Sequence, residues 1–144
     1  MKLFLISQLL LNFWFISWNY DIHESKDKFI PEFIHKSDFP IKIDGGCSFY
    51  TYDTTLLSKN KYLMVVSKDK IAFIKKNNKF VFLKFIDRKQ KSGGFVDTFS
   101  DNKHKIIIDI DHIQNQNGES KLSGSMNIVY NQNKHVLSIH GFSN

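Results

Sequence analysis

One cysteine, two prolines and seven glycines are all that this 144-residue chain has of the residues that staple, break or bend a backbone. The lone Cys47 excludes an internal disulfide framework and any zinc site built on paired cysteines. With so few prolines and glycines, Asn and Lys must carry much of the turn chemistry. Catalytic signatures are missing too. No HExxH, GxSxG, P-loop, CxxC or GxGxxG is present, so the sequence suggests no enzyme class, no cofactor and no metal. The six histidines are scattered at 23, 35, 104, 112, 135 and 140. His104 and His112 share a strand parity but stand more than about 20 Å apart along an extended chain, too far for one metal ion. In "DIDH" a regular strand puts Asp109 and Asp111 on one face and His112 on the other. The calcium-loop spacing is also absent, since Gly118 arrives too late.

A 3.6-residue apolar period is lacking after residue 40, and a period of two takes its place. In "KLSGSMNIVY", Leu122, Gly124, Met126, Ile128 and Tyr130 alternate with Ser123, Ser125 and Asn127, as in a strand with one face in a core. "HKIIIDIDHI" alternates as well, and "KYLMVVS", "IAFIKK" and "KFVFLKFID" are β-branched, aromatic and short. The pattern predicts eight strands: 41–52, 61–67, 71–76, 79–87, 94–100, 104–113, 121–130 and 134–140. Asn77-Asn78 and "NQN" at 131–133 are hairpin turns by composition, while "RKQKSGG" (88–94) and "QNQNGES" (114–120) read as longer polar loops. The expected fold is all-β, an antiparallel meander closed as a small barrel or folded as a β-sandwich. Both closures fit the pattern.

The first twenty residues differ from the rest. "MKLFLISQLLLNFWFISWNY" sets Lys2 before an interrupted apolar run, shorter than the roughly 20 apolar residues of a spanning helix. It reads as a signal peptide or, uncleaved, as an N-terminal anchor helix, and so as an exported chain. Cys47 lies too far downstream to be a lipid-accepting cysteine. Residues 21–40, fenced by Pro31 and Pro40, read as a polar tether, and 41–144 as a single β domain.

Cys47 shares parity with Phe49, the expected core face, and nothing nearby supplies a base. It is therefore expected as a buried structural thiol. Gly45-Gly46 marks a bulge or close approach at the start of the sheet. Charge is the stronger signal. Lys59, Lys61, Lys68, Lys70, Lys75, Lys76, Lys79, Lys84, Arg88, Lys89 and Lys91 face only Asp69 and Asp87, a local net of +9 against +6 for the whole chain. Such a patch either guards turns against aggregation or binds an anionic protein, polysaccharide or lipid surface. Export argues against nucleic acid.

"GGCSFY" (45–50), "IAFIKKNNKFVFL" (71–83) and "LSGSMNIVYNQNKHVLSIHG" (122–141) together resemble a group of small exported bacterial β proteins of unestablished function. That group carries Gly-Cys-Ser in its first strand. The resemblance implies a β fold and export and carries over no catalytic residue. The leading expectation is an exported, non-enzymatic binding protein of a bacterial envelope that meets an anionic partner through a basic hairpin edge. Two other readings stand beside it. One is an inhibitor of a lytic enzyme or toxin, although "SGSMN" has Asn127 where an inhibitory tyrosine would sit. The other is a carrier of a small apolar ligand in a barrel cavity walled by Phe80, Phe82, Phe95, Phe99 and Met126.

Overall fold

A computed structural model describes residues 29–144. The signal or anchor segment 1–20 and the first part of the expected tether lie outside the described residues. The elements are β1 (Ile34–His35), β2 (Ser48–Tyr52), β3 (Lys61–Tyr62), β4 (Met64–Val66), β5 (Ile71–Lys76), β6 (Lys79–Lys91), β7 (Gly94–Ser100), β8 (His104–Gln116), β9 (Glu119–Tyr130) and β10 (Asn133–Ser143). Eight of them close into an antiparallel barrel in the order β10-β2-β4-β5-β6-β7-β8-β9, and β1 pairs with β3 beside it. The all-β expectation holds, and closure is by barrel rather than sandwich.

Turn chemistry fixes the meander. Asn77-Asn78, Asn117-Gly118 and Asn131-Gln132 all have positive φ at both positions, the backbone that matches the right-handed twist of two-residue hairpins. At the β4–β5 turn Lys70 takes the left-handed conformation, with φ of 60°. The Lys70 amide donates to Ser67 O, and the Ser67 amide to Ile71 O, both at 2.9 Å. Two expected polar loops are strand instead: β6 runs on to Lys91 and β8 to Gln116. Their solvent-facing residues on both sides hide the period. Register shifts at Ile86 and at Asp111 break its phase further.

The barrel interior is lined mainly by apolar side chains. Met64, Ile74, Phe99, Ile106, Ile108, Ile110 and Met126 are at most 1% exposed. One seam of the wall depends on Gly124, where a Cβ would overlap the Asp109 carbonyl on β8.

A second apolar cluster lies outside the barrel. Phe49, Val65 and Phe73 face outward from β2, β4 and β5, and Ile34, Cys47 and Tyr62 complete it. Phe39, Ile41 and Ile43 pack across it. This corrects three expectations. Residues 41–47 are not strand but a strap over the outer wall, turned at Gly46 with φ of 86°. Segment 61–67 splits at Leu63, because Tyr62 through Val66 are covered on both sides and belong to two sheets. The described part of the expected tether is packed: Phe29 is 4% exposed and Ile34 fully buried, since their apolar side chains find uncovered barrel surface. The folded body therefore includes residues from Phe29 onward.

Candidate functional site

In an up-and-down barrel alternate turns lie at opposite ends, and this divides the basic residues. Lys59, Lys61, Lys75, Lys76 and Lys79 sit toward the end that carries the β5–β6 turn. Lys68, Lys70, Lys84, Arg88, Lys89 and Lys91 sit toward the end that carries the β4–β5 and β6–β7 turns. One hairpin edge in sequence is thus two populations in space.

Several of these cations are already engaged. Lys76 Nζ lies 3.5 Å from the centre of the Tyr130 ring and 4.6 Å from that of Phe29. His104 stacks on Tyr130 with centroids 4.9 Å apart, so aromatic rings and one cation close this end. Lys91 Nζ binds Asp109 and Asp111 together. That pairing pushes the Lys91 ammonium up and holds the Asp111 carboxyl down. The bulge at Asp111 also turns His112 outward, opposite Ser123, so "DIDH" is a clamp for Lys91.

The opposite end is different. A half-open cleft of about 210 Å³ enters the barrel there, lined by Tyr50, Lys68, Lys70, Phe85, Arg88 and Asp97 among others. Arg88 Nε and Nη2 donate to Asp97 Oδ1 and Oδ2 at 2.6 and 2.7 Å, a two-pronged bond that fits the guanidinium fork. The Arg88 side chain is 39% exposed and that of Asp97 only 6%, so the carboxylate is the buried partner. Arg88 also lies 3.9 Å over the Phe95 ring. Lys70 Nζ lies 4.2 Å over the Phe85 ring, at the rim. On the floor is Tyr50, 1% exposed. Burial first, and the Asp97 charge second, push its hydroxyl well above the usual tyrosine range. The Ser48 hydroxyl and Arg88 oppose that shift. Near neutral pH Tyr50 is a neutral phenol.

The cleft has a net positive rim. Its one carboxylate among the described residues, Asp97, is committed to Arg88. Lys68 and Lys70 form no ion pair among the described residues. Low-dielectric walls from Phe85 and Phe99 strengthen the field these cations set up.

The remaining expected residues fall as follows. Lys84 and Lys89 point outward from β6, opposite Ile71 and Val96. Of the proposed cavity wall, Phe95, Phe99 and Met126 face the core, whereas Phe80 and Phe82 pack outside against Phe73. Cys47 is 1% exposed and shares a face with Phe49 as parity predicts, but that face is the outer wall. Its Sγ donates to Asp44 O at 2.7 Å. Burial pushes the thiol up, the direction of an unreactive group.

Sequence reasoning missed Asp97 and Tyr50. The signal was present in "GFVDTFS", where Asp97 falls between Phe95 and Phe99 on the inward parity. A charge on a core face requires a partner. No protein-family model, curated protein or solved structure matches this chain, so its residues alone carry the functional reading.

Proposed function

We propose that this chain is a non-enzymatic binding protein, exported to a bacterial envelope, that captures an anionic partner at the Lys68–Lys70–Arg88 mouth of the barrel. One observation carries this reading: three cations line a cleft whose only carboxylate among the described residues is already bonded. Arg88 is held rigid by Asp97 and Phe95, so it presents its remaining N–H groups without first being ordered. Lys68 and Lys70, on a turn, supply adjustable charge. Export rests on the apolar N-terminal stretch. The carrier reading has less support, because Phe80 and Phe82, two of its five wall residues, lie outside against Phe73.

The test is binding to a soluble polyanion such as dextran sulfate, followed by calorimetry across a salt series. Affinity is expected to fall about tenfold or more as salt shortens the screening length from ~10 Å toward ~3 Å. Lys68→Glu with Lys70→Glu should abolish most of the binding. Lys59→Glu with Lys61→Glu, at the far end, should leave it within about twofold, since the reversed charges lie beyond the screening length. Equal losses from both pairs, or an affinity indifferent to salt, would overturn the reading.

A further inference from the structure

The outer wall of β5 and β6 carries a surface that the cleft does not use. Register places Ile71 beside Lys84 and Phe73 beside Phe82 on that wall. The irregularity between Phe85 and Asp87 adds Ile86 as an extra residue. Ile71, Phe82 and Ile86 are 44%, 46% and 59% exposed. They continue the apolar belt of Phe49, Val65 and Phe73, which the strap residues Phe39, Ile41 and Ile43 cover. The strap stops short of this strip.

Charge tells what the strip fits. Lys84 stands within it, and Lys89 lies beyond Ile86 on the same outward set, with Asp87 the one acid between them on β6. Asp69 and Asp87 are the only acids among these turn and strand residues from Lys68 to Arg88. Separate apolar tips interleaved with lysines suit a deformable anionic interface. The tips enter the boundary between headgroups and acyl chains while long lysine stems hold ammonium groups at the phosphates. A polysaccharide gives the tips nothing to enter. A folded protein partner would need a pocket for each projecting side chain on a convex wall.

We propose that the β5–β6 outer wall docks on an anionic lipid bilayer surface, with the Lys68–Lys70 turn turned toward the headgroups. The proposal deepens the anion-binding reading and rests on it.

Site-specific labelling of the full chain tests it. Native Cys47 is buried, so a fluorophore such as NBD attached without denaturant reports an introduced cysteine. Ile86→Cys marks the proposed contact. Val136→Cys, 60% exposed on β10, marks the wall four strands away in either direction around the barrel. With vesicles of phosphatidylglycerol and phosphatidylcholine, the label at 86 should shift to the blue and be quenched by spin-labelled lipid. The label at 136 should do neither, and pure phosphatidylcholine should affect neither. Lys84→Glu with Lys89→Glu should weaken vesicle binding by about 25-fold or more, from roughly fivefold for each surface cation lost. An aqueous label at 86, or equal shifts at both positions, overturns the proposal. If polyanion binding still depends on Lys68 and Lys70 in that case, the anion reading stands and only the bilayer assignment falls. Binding that ignores those lysines removes both.

Discussion

The two ends of the barrel are both basic in sequence, yet they neutralise their cations in different ways. At the end near the β5–β6 turn, Lys76 lies over Tyr130 and Phe29, and rings seal the opening. At the other end Arg88 is bound edge-on by a buried carboxylate, and the opening stays half-open with Lys68 and Lys70 at its rim. A ring quadrupole satisfies a cation weakly and leaves an apolar plug. A carboxylate satisfies it strongly and leaves a polar floor. Of the two, only the second arrangement keeps a half-open cleft with cations at its rim.

Deletions at the two ends should therefore hurt for opposite reasons, which urea unfolding can measure. Arg88→Ala strands Asp97 in the barrel and should lower stability by about 3 kcal/mol, the low end for half of a buried pair because Arg88 is partly exposed. Phe29→Ala removes the plug and should lose about 3 kcal/mol through lost burial and the cavity left behind. If losing Phe29 proves harmless, the packed-plug description of that end is wrong.

Opposite extremes of pH sharpen the contrast at a smaller amplitude. Tyr50 ionises above its ordinary value of 10.0 in the folded state. Its contribution is complete below that pH and declines above it, where the unfolded chain releases a proton the barrel retains. Tyr50→Phe should flatten the alkaline arm of a stability–pH curve. Asp101, at the sealed end, behaves the other way. Burial works against its charge, but the backbone N–H groups of Lys103 and His104 and the His104 ring outweigh it, holding the carboxyl below its ordinary 3.8. That contribution is present above pH 3.8 and disappears as pH falls through the lowered value. Asp101→Asn should flatten only the acid arm, to which Asp111 also contributes. A variant that moved both arms would deny that the ends are independent.

The smallest effect separates ring from carboxylate directly. Lys76→Met keeps the stem and removes the charge over Tyr130, and should lose only about 0.5–1 kcal/mol. A loss as large as that of Arg88→Ala would erase the distinction.

Local rules made most of the barrel legible. Strands 71–76 and 94–100 match their sequence bounds, because alternation runs unbroken between clear turn residues. Asn77-Asn78 adopts the conformation its composition favours. The strap was hidden, because Phe39 meets Phe49, Tyr62 and Phe73, and Ile41 and Ile43 pack on the same cluster, across stretches of chain that periodicity cannot see. The extra residues at Ile86 and Asp111 were hidden as well, since each shifts the phase on which parity depends. The cleft was half visible. Its lysines stood out by charge, while Asp97 looked like one more polar residue in a strand.

The strap has a consequence for measurement. Cys47 ends it, turned inward against the outer wall, bonded to Asp44 O and closed to solvent. A thiol reagent can reach the sulfur only while residues 39–46 lift away. Under native conditions its reaction rate is the intrinsic rate multiplied by the fraction of time this segment is open. The lone cysteine is thus a clock for one local opening, and it reads the strap's own stability apart from that of the barrel underneath.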